Sequence, residues 1–191
     1  GASLVFDAAA NLCGELPRFA EAIQSFTLND DGSIDAAVLE PASRMPDKEL
    51  NPATLEENLN IAMVHDAIVL GIRDYFTKMG FTKAILGSSG GIDSAVTLAL
   101  ACEALGKDNV RAVLMPSQYS TGHSVSDAEQ LSKNLGNPYD IIPVKNIYDS
   151  FLSELKPIFK DLPFSIAEEN IQSRTRGNLL MAIANKFGYI L

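Results

Sequence analysis

From residue 52 onward, apolar positions switch repeatedly between helical and strand periods. Leu55, Leu59, Ala62, Met63, Ile68, Val69, Ile72 and Phe76 recur at near-helical spacing, which predicts one long amphipathic helix over residues 52–79. Asn51-Pro52 supplies a cap followed by proline at the first helical position, and Gly80 closes the helix. Apolar runs and helical patterns then alternate: strand 83–87, helix 94–105, strand 110–114, helix 124–135, strand 139–144, and helices over 146–160 and 166–187. Gly188 ends the last helix, and Tyr189-Ile190-Leu191 reads as the beginning of another strand. Alternating β and α elements with short connections predict an α/β fold of three layers, a parallel sheet with helices on both faces. Ligands bind such sheets at the carboxyl ends of the strands.

The first forty residues read differently. Ser3–Asp7 is a short strand candidate, Asn11–Leu16 resembles the second arm of a hairpin, and Phe26-Thr27-Leu28 precedes the turn cluster Asn29–Ser33. Such a β appendage cannot build a core alone. Residues 41–51 carry prolines and charges and read as a linker to the main domain, residues 52–191.

Composition narrows the class. At 191 residues, with 47% hydrophobic and 20% charged residues, the chain suits one α/β domain plus an appendage rather than a disordered segment. A net charge of −9 argues against nucleic acid as the main partner. Cys13 and Cys102 form neither a disulfide framework nor a metal cluster, and Cys102 falls in an apolar helix, where it is expected in the core. No secretory segment or bilayer-spanning apolar run is present, so no membrane partner is expected and a reducing cytoplasm is the expected compartment.

The chemistry concentrates in Gly87-Ser88-Ser89-Gly90-Gly91-Ile92-Asp93-Ser94, between the run Ala84-Ile85-Leu86 and a helical pattern. A strand, a glycine-rich turn and a helix N-terminus together cradle an anion, because free backbone N–H groups and the positive end of the helix dipole meet there. Gly90 and Gly91 let the main chain approach a phosphate, and Ser89 and Ser94 carry hydroxyl donors. Asp93 would repel a bare phosphate, which points to a divalent cation held between carboxylate and phosphate oxygens. The mononucleotide P-loop lysine is absent, and the spacing fails the Gly-x-Gly-x-x-Gly dinucleotide pattern. The competing reading is an ordinary tight turn, against which stand six matching positions in a strand–turn–helix context.

Two further segments carry candidate chemistry. Met115-Pro116-Ser117-Gln118-Tyr119-Ser120-Thr121 follows the strand 110–114, where its hydroxyls can line a nucleotide pocket; alone, it reads better as a loop leading to a helix cap. In Glu168–Asn178, helical spacing puts Asn170, Arg174 and Gly177 on one face, with Ile171, Leu179, Ile183 and Phe187 on the neighbouring core-facing stripe. Mid-helix glycine costs about 1 kcal/mol relative to alanine, which suggests a close approach to the backbone at Gly177. Amide, guanidinium and bare backbone suit a planar or phosphorylated ligand. A solvated face paired through Gln172 and Arg176 fits the spacing as well. His65 and His123 carry no motif and are expected to be structural.

Ser-Gly-Gly-Ile-Asp-Ser resembles the signature of ATP pyrophosphatases, which cleave ATP between the α- and β-phosphates and adenylylate a substrate. With Met-Pro-Ser-x-Tyr-Ser and Glu-Asn-Ile-Gln-x-Arg-x-Arg-Gly in this order, the chain resembles NAD synthetase over about residues 52–191. The tail Gly1–Asp7 with Pro17-Arg18-Phe19, and the continuation Arg176-Gly177-Asn178-Leu179-Leu180-Met181, resemble the glutamine-dependent type, making residues 1–40 the end of a nitrilase-like glutaminase domain. The resemblance then implies a fragment, without the glutaminase catalytic residues and without a C-terminal loop that supplies ATP contacts and a second metal-ligand carboxylate.

The same resemblance implies the reaction and its residues. ATP would bind through Gly87, Ser88, Ser89, Gly90, Gly91, Asp93, Ser94 and Met115, with Asp93 also a Mg²⁺ ligand and Asp93 and Ser89 catalytic. Asn170 and Arg174 would contact deamido-NAD in a site built across a homodimer, and glutamine would supply ammonia. Other amidotransferases of the superfamily share the first loop, but the Asn170–Arg176 segment is not expected in them. The alternative from another class is a noncatalytic nucleotide-binding or subunit-interface module.

Overall fold

A computed structural model describes residues 3–35, 58–120 and 122–191, with the backbone alone for residues 58–60 and 122. Two compact units are present, residues 1–67 and 68–191, and the division falls within a helix. The proline-rich linker expected at 41–51 lies outside the described residues, as does the expected start of the long helix at residues 52–57.

In the first unit, β1 (Leu4–Phe6) pairs antiparallel with β2 (Leu12–Glu15), and β3 (Thr27–Leu28) with β4 (Ile34–Asp35). Carboxylates close both turns. Asp7 Oδ1 accepts from the N–H groups of Ala9 and Asn11 at 2.9 and 2.7 Å, and Asp31 Oδ1 accepts from Ser33 N–H at 2.9 Å. Cys13 lies on β2, with Sγ 3.4 Å from the carbonyl of Asn11.

The second unit is built on β5 (Ala84–Gly87), β6 (Val110–Leu114) and β7 (Tyr139–Ile141), parallel and in that order. The α-helices among the described residues are α1 (Asn58–Met79), α2 (Ile92–Leu105), α3 (Gly122–Leu135), α4 (Lys145–Phe159) and α5 (Ile166–Phe187). Residue alternation along β6 divides the core into two layers. Ala112 and Leu114 pack with Leu98, Ala101 and Cys102 of α2 and Ala128 of α3; Val113 and Met115 pack with Ile85, Val144, and Leu180 and Ala184 of α5. This is the expected three-layer α/β arrangement, and Cys102 is buried, which raises its thiol pKa.

The expected final strand begins where the sequence put it. Ile190 bridges Ala84 in parallel, with Ile190 N–H donating to Lys83 O at 2.9 Å and Ile85 N–H donating to Ile190 O at 2.8 Å. The chain therefore runs outward from β5 to β7 and returns on the other side of β5. Strand order reverses there, and a doubly wound sheet opens a ligand crevice at such a point.

Boundaries differ from expectation in ways the backbone explains. The helix expected from residue 94 starts at Ile92, because positive φ at Gly90 (83°) turns the chain and leaves Gly91 as the N-cap. The strand expected over 139–144 ends at Ile141, since Pro143 has no N–H to donate. Ile142 and Val144 still donate to Leu114 O and Pro116 O at 2.8 and 2.9 Å, so the chain tracks β6 to the carboxyl edge. On α5 the buried positions are Gln172, Thr175, Leu180 and Ala184, and Leu179 and Ile183 of the expected stripe pack half-buried against the core beside them. Phe187, expected in the core, is 67% exposed, with its ring in a T-shaped contact with Tyr189. On α1, Val69 and Phe76 are buried as expected, while Ile68 is exposed.

Candidate functional site

The main-chain path after β5 follows from a few contacts. Ser88 N–H donates to Val113 O at 2.9 Å, which carries the sheet pairing one residue beyond Gly87. Ser89 Oγ accepts from Gly91 N–H at 3.2 Å, and Ser94 Oγ accepts from Ser89 N–H at 3.2 Å while donating to Gly91 O at 2.9 Å. Ser89 and Ser94 thus hold the turn to itself. Gly90 has no substitute here: its φ is 83°, and a Cβ would sit 2.1 Å from Ser124 O. That contact presses the turn against the start of α3.

The N-terminus of α2 has no side-chain cap, so its first N–H groups remain available and the dipole is uncompensated except by Asp93 in the first turn. Asp93 is exposed. Among the described residues no group of three or more His, Cys, Asp or Glu could hold a metal.

Beside the turn lies a cavity of about 460 Å³, in the size range of small-ligand sites. Gly87, Ser88 and Ser89 line it together with Met115 and Pro116, and α5 contributes Ser173, Arg176, Gly177 and Leu180. All three sequence motifs therefore meet at one place, the carboxyl edge of β5 and β6. Arg176 Nε donates to Met115 O at 3.1 Å, which ties α5 to the end of β6 across 61 residues of sequence. Ser88 Oγ is buried without a hydrogen-bond partner, its residue only 4% exposed. An orphaned hydroxyl costs stability unless a ligand or water satisfies it.

Other predicted residues fall elsewhere. Ser94 and Gly90 shape the turn but do not line the cavity, nor do Gly91 and Asp93. Asn170 and Arg174 are exposed, and Arg174 Nη1 lies 3.5 Å from Asn170 O, one turn back on the same helix. The cavity is faced by 173, 176, 177 and 180, so Gly177 of the predicted face reaches it, while Asn170 and Arg174 lie about 90° of helix away. Ser173, Arg176 and Leu180 were missed, although their i, i+3, i+7 spacing was readable. The surface pair Gln172–Arg176 does not form, because Gln172 is buried and Arg176 bonds Met115. His65 Nδ1 lies 3.0 Å from Asp66 Oδ1, and His123 is exposed at the start of α3.

The sequence model of the NAD synthase family matches residues 64–191, about two thirds of the chain. The chain belongs to the NAD synthase family. It is 59% identical over 125 residues to the glutamine-dependent NAD(+) synthetase of Synechocystis sp., covering 65% of this chain and 22% of that protein. Against the enzyme of the same name from Thermotoga maritima, identity is 38% and covers all of this chain and 36% of the relative. The chain thus spans about a fifth to a third of the length of these curated relatives. Among solved structures, glutamine-dependent NAD+ synthetase from Acinetobacter baumannii, determined with ADP, superposes with a TM-score of 0.85 at 34% identity, over 99% of this chain and 33% of that one. The NAD synthase match begins inside α1 and takes in the whole cavity lining.

Proposed function

We propose that this chain carries the synthetase site of a glutamine-dependent NAD synthetase, where ATP activates deamido-NAD and ammonia forms the amide. The observation that carries this reading is the convergence of the Ser-Gly-Gly turn, Met115-Pro116 and the Ser173–Leu180 face of α5 on one cavity. The orphaned Ser88 hydroxyl in that lining fits a phosphate oxygen acceptor.

In this reading, the N–H groups of the first turn of α2, which no side chain caps, receive the ATP phosphates. The nicotinate carboxylate of deamido-NAD attacks the α-phosphorus, forming a P–O bond as the bond to the β-phosphate oxygen breaks and pyrophosphate leaves. Ammonia then adds to the adenylylated carbonyl, loses a proton, and AMP departs with its oxygen. No side-chain nucleophile is required; the protein positions the partners and compensates charge. Ser89 acts by holding the turn in place.

The donor set fits Mg²⁺ of the shared kind, which takes one or two carboxylates and completes its shell with phosphate oxygens and water. Asp93 would be the carboxylate that holds it, and the ion would supply neutralisation of phosphate charge. Asn170 and Arg174, facing outward from α5, then serve deamido-NAD in a site completed by another copy of the chain. The enzyme is expected to work in the cytoplasm as a homodimer or larger assembly.

The test is product analysis of the intact protein with Mg·ATP, deamido-NAD and ammonium. AMP, pyrophosphate and NAD in equal amounts, all dependent on the dinucleotide, are the expected result. Nucleotide binding without substrate-dependent pyrophosphate release would favour the noncatalytic module instead.

A further inference from the structure

Phe164 immediately precedes Ser165, the N-cap of α5. An apolar side chain at that place ordinarily packs on the fourth residue of the helix and fixes the angle at which the chain enters. In α5 the fourth residue is Glu169, charged and exposed, so the helix offers Phe164 no apolar partner there. The partner comes from a distant segment instead: the ring of Tyr119 makes a T-shaped contact with Phe164, their centroids 6.2 Å apart. The cap itself is complete through Ser165 and Glu168. Entry into α5 is thus set by two separate devices, one local and one supplied by Tyr119.

Tyr119 sits in a turn closed by its own bonds. Ser120 N–H donates to Ser117 O at 3.1 Å, Ser117 N–H to Ser120 Oγ at 3.0 Å, and Tyr119 N–H to Ser117 Oγ at 3.3 Å. Ser120 lines the cavity and Tyr119 does not. Tyr119 also faces α4, where Tyr148 is 1% exposed and its hydroxyl has no hydrogen-bond partner. Burial raises the pKa of Tyr148 most, and the Tyr119 phenol raises it next. One compact turn therefore presents a serine to the cavity and a tyrosine to the junction of α4 and α5.

We propose that Tyr119 and Phe164 are positioning residues that couple the nucleotide cavity to the Asn170–Arg174 stripe of α5. The inference rests on the reading of these two places as the ATP and deamido-NAD sites. A nucleotide that fixes the Ser117–Ser120 turn fixes Tyr119, and through Phe164 it fixes the first turns of α5, which carry Asn170 and Arg174. Neither ring touches a ligand in this scheme. Coupling between two binding sites is reciprocal, so deamido-NAD must tighten the nucleotide by the factor that the nucleotide tightens deamido-NAD.

The test is calorimetric titration of the intact protein with ADP, alone and with saturating deamido-NAD, and the reverse, alongside thermal melting. In the unmodified protein each ligand should tighten the other about fivefold, within what one aromatic pair can transmit. Phe164→Ala should bring that factor below about two, and Phe164→Tyr, which keeps a ring, should preserve it. Ser165→Ala removes the cap and leaves the ring contact, so it should lower the melting temperature and preserve the factor. An unchanged factor in Phe164→Ala overturns the proposal. So does an equal loss in Ser165→Ala, which would reduce Phe164 to part of the stability of the helix start. Absence of coupling in an unmodified protein that binds both ligands overturns the proposal and leaves the reading of the site standing. If the unmodified protein binds no ADP or no deamido-NAD, that reading fails, and the coupling falls with it.

Discussion

Helices α2 and α5 begin in opposite ways. The first turn of α5 is closed by its own residues: Ser165 Oγ accepts from Ala167 N–H at 3.2 Å, and Glu168 Oε2 accepts from Ser165 N–H at 2.7 Å. The first turn of α2 has a glycine N-cap with no side-chain acceptor, and its neighbouring serines bond one another and the turn rather than the helix end. A helix start that is satisfied internally has no need of a ligand. One left open beside a cavity with an orphaned hydroxyl remains receptive to an anion. Changes at the α2 end should therefore reach nucleotide use, and changes at the α5 end should reach stability.

Gly90→Ala is the strongest way to break this contrast. It forces a side chain into the left-handed region and into contact with Ser124 O, and the two penalties together come to about 3 kcal/mol. Denaturant unfolding should register that loss, with nucleotide binding abolished. Full binding with a small stability change would show that the turn does not depend on its approach to α3.

Asp93→Asn tests the same end without steric cost. Its side chain is exposed, so stability should stay within about 0.5 kcal/mol. Turnover at fixed Mg·ATP should fall about a hundredfold, as loss of a group that stabilises transferring phosphates does. Unchanged turnover and an unchanged Mg²⁺ requirement would remove Asp93 from the site.

Legibility in the sequence followed how local each feature is. The Ser-Gly-Gly turn was readable because its strand, turn and helix are contiguous, although its contacts with Val113 and Ser124 were not. The position of the α5 face was not, since rotation about the helix axis is decided by contacts from distant segments. The amphipathic pattern offered Ile171, Leu179, Ile183 and Phe187 as the core side; Leu179 and Ile183 do pack on the core, but the fully buried positions are Gln172, Thr175, Leu180 and Ala184, and Phe187 is exposed. Arg176 looked like a surface partner for Gln172, and only the arrival of β6 beside α5 gives it Met115 O. The three-layer order was readable from alternating periods alone, and so was the strand character of Tyr189-Ile190-Leu191; its place beside β5 was not, because pairing with Ala84 is a long-range contact.

Arg174→Ala separates the two stripes of α5. Arg174 is exposed and lines no part of the cavity, so ADP affinity should hold. The apparent KM for deamido-NAD should rise about tenfold, the loss expected for one charge-assisted hydrogen bond. Equal weakening of ADP would place Arg174 with the nucleotide instead and would erase the distinction between the stripes.

The smallest effect belongs to the closed helix start. Ser165→Ala should cost about 1 kcal/mol of stability, the usual loss of an N-cap hydroxyl, and leave ADP affinity unchanged. The backbone N–H of Ser165 holds the Glu168 carboxyl below its ordinary pKa, so the folded state binds its proton less readily than the unfolded state. The stabilisation is therefore complete above the unfolded value and is lost as pH falls through the lower folded one, below about pH 4. Glu168→Gln keeps an acceptor for Ser165 N–H but cannot titrate, so its acid unfolding curve should lose that part of its slope. The open end of α2 supplies no comparable bond to a titrating side chain: Asp93 lies in the first turn, but no side chain caps the Gly91 end. Acid sensitivity of the two helix starts, read by amide hydrogen exchange across residues 92–95 and 166–169, should then differ in the unliganded protein. If both starts open together with acid, Glu168 is not what closes α5, and the contrast between the two ends must rest on the cavity alone.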